Sequence, residues 1–168
     1  MRLPIIDASN VTMSKSLKRV KIALADAGLD CEVMEMPGET RTAADAAREA
    51  GCDIDQIAKS IIFAGQDSSE VVLFITAGGR QVDPDRATTV AKEPLGRADA
   101  AFVRATTGFA IGGVAPIGHL TPPRVFFDKR LLDFSLVFAA AGTPRHIFPI
   151  DPTVLAVMSD GKIANFTA

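Results

Sequence analysis

A single lysine interrupts an apolar, strand-like run between Ile57 and Phe63. Side chains alternate between the two faces of a strand, so Lys59 shares a face with Ile57, Ile61 and Phe63. An ammonium group on an apolar face is costly unless an anionic group meets it. We therefore expect Lys59 to bind an anionic part of a ligand. The alternative is a lysine that extends from the sheet edge to solvent, which is the commoner fate of a lone strand lysine.

The second candidate is a glycine-rich segment downstream, Gly112-Gly113-Val114-Ala115-Pro116-Ile117-Gly118-His119. Glycines allow backbone amides to approach a bound molecule closely, including an oxyanion, and the proline stiffens the turn. By itself such a segment could also be an ordinary tight turn. His119 at its end has an ordinary pKa near neutrality, so it could orient water or act as a general base; a structural hydrogen bond is the alternative.

Several helices are predicted around these segments. Apolar residues at helical spacing predict a helix over residues 14–27, and Thr42 begins a capping pattern for a helix that runs to Ala50. The pairs Asp83-Pro84 and Asp151-Pro152 each mark the start of a further short helix.

Strands are predicted mostly in pairs joined by tight turns. Residues 59–64 and 71–76 form one expected hairpin, and residues 136–141 and 145–150 form another. Further strands are expected over residues 31–36, 100–103 and 125–127. This order of elements predicts an α+β fold in which a mixed, mostly antiparallel central sheet is flanked by several short helices. No Gly-x-Gly-x-x-Gly opens a strand-helix unit, which disfavours a dinucleotide-binding fold.

Bulk composition bounds the class of protein. The chain has 168 residues, 48% hydrophobic and 23% charged, which is typical of one globular domain spanning residues 1–168. A formal charge of −2 disfavours a broad nucleic-acid surface, so any contact with a nucleic acid must be local. The apolar runs are too short to cross a membrane, and the expected location is the cytoplasm. Cys31 and Cys52 match no zinc pattern, and we expect no metal and no cofactor.

Three segments together carry a family resemblance: Thr40-Arg41-Thr42-Ala43, the strand Gln56–Phe63 with its lysine, and the loop Gly112–His119. In this order they resemble the YbaK-type aminoacyl-tRNA deacylases, which are similar to the editing domain inserted in many bacterial prolyl-tRNA synthetases. The resemblance covers the chain from about its first predicted helix to its end. It implies hydrolysis of the ester that joins a wrong amino acid to the terminal ribose of tRNA.

The resemblance also implies roles for residues. Lys59 would hold the phosphate or ribose of the terminal adenosine, and Gly112, Gly113 and Pro116 would form the catalytic loop that embraces the reacting carbonyl. The residues expected to contact the substrate are Thr40, Thr42, Ser60, Val114, Ala115, Gly118, His119 and His146. An aminoacyl ester is already activated, so positioning and carbonyl polarisation can supply most of the acceleration.

The implied partner is the acceptor end of aminoacyl-tRNA, most plausibly tRNA for proline carrying a small amino acid such as alanine, with prolyl-tRNA synthetase as a second partner. Exposed cations of the first helix, Lys15, Lys18, Arg19 and Lys21, could contact the acceptor stem, although a solvated charged face is the more frequent meaning. One alternative function is a module that binds a charged or nucleotide end without hydrolysis. Another is a thiol hydrolase in which Cys31 or Cys52 pairs with a histidine.

Overall fold

The computed structural model describes residues 14–39 and 42–168, in which one sheet is flanked by helices. The described helices are α1 (Lys15–Asp26), α2 (Ala43–Ala50), α3 (Pro84–Ala91), α4 (Ala100–Thr107) and α5 (Pro152–Met158). The described strands are β1 (Met34–Glu35), β2 (Ile57–Gly65), β3 (Val71–Ala77), β4 (Leu95–Arg97), β5 (Arg124–Asp128), β6 (Val137–Ala140), β7 (His146–Ile150) and β8 (Lys162–Ala164). Short 3₁₀ turns at Ile54–Gln56 and Lys129–Asp133 precede β2 and β6.

The strands lie in the order β1-β7-β6-β2-β3-β5-β8, and β4 pairs with β2 outside this path. Antiparallel pairing joins β1 with β7, β2 with β3, β2 with β4 and β6 with β7. Parallel pairing joins β2 with β6, β3 with β5 and β5 with β8. The predicted mixed sheet and both predicted hairpins, β2–β3 and β6–β7, are confirmed.

The two faces of the sheet are covered differently. One face carries the main core, where α1 packs Leu17, Val20 and Leu24 in a cluster that includes Phe109 and Phe127. The opposite face carries two smaller apolar clusters, one that includes residues of α2 and one that includes residues of α3. The helices therefore leave this second face unevenly covered along β2.

Lys59 lies between these two smaller clusters. Ile57 at the start of β2 packs in the α2 cluster with Ala46, whereas Ile61 and Phe63 pack in the α3 cluster. Since all four β2 side chains share this face, the lysine occupies the interval between them. This face of β2 is therefore apolar, as the sequence predicts. Lys59 interrupts it between the part that packs in the α2 cluster and the part that packs in the α3 cluster.

One predicted element is wrong. Residues 100–103 were expected to form a strand, but they begin α4. The Asp99 carboxylate accepts the Phe102 N–H at 2.8 Å, and Gly108 ends the helix with a φ of +82°. An N-terminal cap and a left-handed glycine at the other end stabilise a helix where a short apolar run alone suggested an extended chain.

None of the helices within residues 14–39 and 42–168 is long and apolar enough to cross a bilayer.

Candidate active site

The sheet has a gap beside β2. One edge of β2 is paired with β3 from Ala58 to Ala64. The other edge is paired with β6 only at Ile57 and Ala58, and with β4 only from Phe63 to Gly65. Among the described strands, none pairs with this edge at residues 59–62. The middle of β2 therefore has an open edge inside the sheet.

A cavity of about 560 Å³ occupies this gap. Five consecutive residues of β2, Ile57 to Ile61, line it. Consecutive strand residues point to opposite faces, so a cavity that meets all five must lie against the strand edge. Its other lining residues are Thr42, Ala43, Ala44, Ala46, Ile54, Gly78, Gln81, Gly112, Val114, Phe138, Ala139, Ala140, Thr143 and Ile147.

Lys59 contributes a half-buried cation to this cavity. In the part of the chain that the structure describes, no carboxylate forms an ion pair with its ammonium. Burial lowers the pKa of Lys59 below its ordinary value, and the more distant carboxylates of Asp55 and Asp128 oppose that effect without cancelling it. An unpaired, partly desolvated ammonium at a cavity wall can attract an anion.

The carboxylates of Asp55 and Asp128 accept hydrogen bonds from backbone N–H groups. Asp128 is buried and accepts the Ala77 N–H at 3.0 Å, while Asp55 accepts the Gly79 N–H at 2.8 Å. Arg130 donates to Asp55 at 2.9 Å. These bonds hold the turn after β3, including Gly78 at the cavity wall. A Cβ on Gly78 would lie 2.3 Å from the Ile54 carbonyl oxygen, so a glycine is required there.

The glycine-rich loop contributes Gly112 and Val114 to the cavity wall. Gly112 is exposed, has a φ of +95° and has open space where a Cβ would lie. Gly113 is buried against the next loop, and a Cβ there would come within 2.9 Å of Thr143 Cα. The Gly113 N–H donates to the Ala110 carbonyl at 3.0 Å. One glycine thus permits the turn, and the other permits close packing of two loops at the cavity wall.

His119 contacts the backbone of this loop. Its Nε2 lies 2.7 Å from the Ala115 carbonyl oxygen, and its ring packs edge-on against Phe109 with centroids 5.2 Å apart. Burial lowers the pKa of His119, an effect that the Ala115 bond opposes. His119 is not among the residues that line the cavity. The geometry therefore supports the structural hydrogen bond, which was the alternative to a general base.

Arg19 also departs from the solvated role expected for the basic face of α1. Its guanidinium donates to the Gly108 carbonyl at 2.7 Å and to the Gly118 carbonyl at 3.2 Å, and it lies over the Phe109 ring at 4.9 Å from the centroid. One side chain of α1 thereby links Gly108, at the end of α4, to Gly118 in the glycine-rich loop. Lys15, Lys18 and Lys21 remain exposed.

His146 acts through a neighbour. Its Nδ1 lies 2.6 Å from the Thr143 hydroxyl, and Thr143 lines the cavity whereas His146 does not. Burial lowers the pKa of His146, and the nearby Glu35 carboxylate partly opposes the shift. The histidine can thus orient the side chain of Thr143, a residue of the cavity wall.

Neither cysteine lies at this cavity. Cys31 packs beside α1 and Cys52 follows α2, and burial raises the pKa of both thiols. A raised pKa leaves less thiolate, which is the nucleophilic form. Within residues 14–39 and 42–168 there is also no cluster of three or more histidine, cysteine, aspartate or glutamate side chains placed to hold a metal ion.

The structure brings five of the sequence-predicted residues to one cavity: Thr42, Lys59, Ser60, Gly112 and Val114. Six others stand behind the wall and do not line it: Gly113, Ala115, Pro116, Gly118, His119 and His146. Thr40, with Arg41, lies outside the described residues.

Sequence reasoning missed several lining residues. Thr143 lies in the Gly142-Thr143-Pro144 turn, which predicted only a hairpin connection. Gln81 and the small side chains of Ala139 and Ala140 carried no pattern of their own. Only the position of Thr143, close in sequence to the predicted His146, could have suggested one of them.

The chain whose cavity is lined by an unpaired lysine and a glycine-rich loop matches a known domain family. Residues 37–157 match the model of the aminoacyl-tRNA editing domain, and the chain belongs to this family. This agrees with the resemblance drawn from the three sequence segments, and the chain is an aminoacyl-tRNA deacylase with an editing function.

Individual relatives agree in fold. A solved structure provisionally described as a trans-editing enzyme for prolyl tRNA synthetase is 39% identical, with a TM-score of 0.86, and the match covers 94% of this chain and 99% of that one. The uncharacterized protein YwhH of Bacillus subtilis (strain 168) is 29% identical over 88% of this chain and 94% of its own length. The hypothetical protein APE2540, 24% identical with a TM-score of 0.80 over 89% of this chain and 99% of its own, shares the fold.

Proposed function

We propose that this deacylase edits in trans, hydrolysing the ester of tRNA for proline that carries a small non-proline amino acid, with alanine as the first expectation. The observation that carries the proposal is the unpaired ammonium of Lys59, which shares one cavity with Gly112 and Val114. The similarity to a protein described as a trans-editing enzyme for prolyl tRNA synthetase supports the choice of tRNA.

Lys59 is suited to the anionic end of this substrate. A lysine ammonium is a compact point charge that binds phosphate, and partial burial strengthens the attraction by lowering the effective dielectric. We assign it to the phosphate or ribose of the terminal adenosine. Because Asp55 and Asp128 are already engaged by backbone N–H groups, they leave the ammonium available to a ligand.

The glycine-rich loop is suited to the acyl end. Gly112 keeps its backbone accessible, and the contacts of Gly113 with the Thr143 loop fix where that backbone lies. Preorganised amides can stabilise negative charge on the ester carbonyl oxygen as a water molecule adds to its carbon. The ester C–O bond then breaks, and the products are the free amino acid and a ribose hydroxyl. No strong side-chain nucleophile is needed, since the ester is already activated.

The cavity wall is consistent with a small acyl side chain. Alanines from three elements line it: Ala43 and Ala46 in α2, Ala58 in β2, and Ala139 in β6. Apolar walls discriminate weakly between substrates that differ by a single methylene. We therefore expect alanine and 2-aminobutyrate to be handled similarly.

The exposed lysines of α1 provide a surface for the acceptor stem. Lys15, Lys18 and Lys21 are exposed on the helix whose Arg19 holds the glycine-rich loop. Contacts between lysines and phosphates release counterions, so binding should weaken as salt rises. Prolyl-tRNA synthetase is the proposed second partner, and the cytoplasm is the proposed location because aminoacyl-tRNA is made there.

The test is release of amino acids from charged tRNA. Purified protein is mixed with tRNA for proline carrying alanine, cysteine, serine, threonine, 2-aminobutyrate or proline, and each release is compared with the spontaneous rate. We expect faster release of alanine and no release of proline. Release of none of the amino acids would refute the proposal. Saturable filter binding with intact ester would then indicate the non-hydrolytic binding module.

A further inference from the structure

The open edge of β2 directs particular backbone groups into the cavity. In an antiparallel ladder, the N–H and C=O of alternate residues point to opposite edges. The Gly65 N–H donates to Glu70, in register with β3, and the Gln66 N–H donates to Pro94, toward β4. Counting back along the uninterrupted register, Ser60 points its N–H and C=O to the β4 side.

At Ser60 this side has no partner strand. The parallel pairing with β6 ends at Ala58, and the pairing with β4 begins at Phe63. Ser60 lines the cavity, whereas its side-chain hydroxyl is buried and has no hydrogen-bond partner in the described part of the chain. Because the edge is unpaired here, the N–H and C=O of Ser60 are directed toward the cavity that fills the gap. Unpaired edge groups of a sheet are a template for a ligand that can complete the ladder.

The charge of the substrate matters here. An aminoacyl ester carries an α-ammonium group, which needs acceptors when it leaves water. The described residues that line the cavity include no aspartate or glutamate. The ammonium of Lys59 is carried away from the sheet plane by its side chain, whereas the Ser60 carbonyl lies in that plane. The edge carbonyl is thus an acceptor that is separated from the lysine.

We propose, resting on the editing function proposed above, that the backbone carbonyl of Ser60 accepts a hydrogen bond from the α-ammonium of the acyl group. The aminoacyl group then sits at the gap as one residue of a missing strand. A primary ammonium has three N–H donors to direct at the edge. An N-alkylated amine keeps two N–H donors, but its added carbon meets the strand edge when the nitrogen sits in the position of a strand residue and displaces the hydrogen bond. Proline is N-alkylated, so this contact rejects the correctly attached amino acid by its amine.

The test compares two isomeric substrates with the native protein. N-methylalanine and 2-aminobutyrate each add one methyl group to alanine, on the nitrogen in the first and on the side chain in the second. tRNA is acylated chemically with each, and every hydrolysis rate is divided by its spontaneous rate. A hydrogen bond to a charged group predicts that N-methylalanine is released about 10-fold or more slowly than 2-aminobutyrate. Equal release, or faster release of N-methylalanine, overturns the inference.

The variant Ser60→Ala separates the backbone from the hydroxyl. It removes a hydroxyl without a described partner and keeps the edge carbonyl. Whatever its effect on the overall rate, the ratio between the two isomers should stay within about twofold of the native ratio, a smaller change than loss of one net hydrogen bond. A ratio that collapses to unity shows that the hydroxyl reads the amine, and the inference is wrong. If native protein releases alanine but fails to separate the isomers, this inference falls while the proposed function stands.

Discussion

Replacing Lys59 with methionine should separate activity from stability. Methionine has a similar length and an unbranched apolar chain, so it can occupy the interval between the α2 and α3 clusters without the charge. The lysine has no ion-pair partner among the described residues, so the variant leaves no carboxylate newly unpaired. A lysine that serves to bind substrate contributes to activity and is not needed for the stability of the free protein.

Lys59→Met should lower kcat/KM without lowering the free energy of unfolding. A hydrogen bond to a charged group contributes about 1.5–3 kcal/mol, which corresponds to a loss of about 10- to 150-fold in kcat/KM. Stability should be unchanged or higher. Because burial lowers the pKa of Lys59 in the folded protein, the unfolded chain binds the proton more tightly. Charging this group therefore costs stability below its folded pKa, and the cost fades as pH rises through it.

Alanine release from charged tRNA gives kcat/KM, and urea unfolding at neutral pH gives the free energy of unfolding. Lys162→Met is the matched control, since Lys162 is also a strand lysine but is exposed in β8. It should leave release unchanged. The reasoning is refuted if Lys59→Met keeps native release, or if it loses release together with a large fall in the free energy of unfolding.

Three further substitutions test the site. Gly113→Ala should lower both the melting temperature and alanine release, because its Cβ meets backbone that cannot move cheaply, whereas Gly38→Ala, with no atom within 4 Å, should change neither. Burial lowers the pKa of His119, so native protein should lose stability on acidification from pH 7 more steeply than His119→Gln; parallel urea-unfolding curves would contradict this. Replacing Cys31 and Cys52 together by serine should preserve release, and loss of release from a folded variant would revive the thiol mechanism.

The sequence carried the local structure well because capping and periodicity act over a few residues. Thr42, Asp83 and Asp151 each accept a backbone N–H at the start of a helix, as their positions predicted. The exception, residues 100–103, had too few apolar residues to distinguish a strand from a buried helix. There the cap at Asp99 was the better indicator.

The site was predictable only where a residue conflicted with its local pattern. Lys59 in an apolar strand and the clustered glycines are such conflicts, whereas Thr143 and Gln81 fit ordinary turns. The gap beside β2 depends on where β6 stops pairing after Ala58 and where β4 begins at Phe63. These are long-range pairings, and no local pattern encodes them.

The hydrogen bonds that Arg19 donates to the carbonyls of Gly108 and Gly118 have a consequence for engineering. Exchanging residues 108–119 between relatives to alter substrate choice would transplant a segment that is held near both ends by a residue 89 and 99 positions away. In a chimera lacking an arginine there, the Gly118 carbonyl would lose its hydrogen bond from the guanidinium, and the Gly108 carbonyl would keep the Ser16 hydroxyl as a donor. The first helix and the loop should therefore be exchanged together.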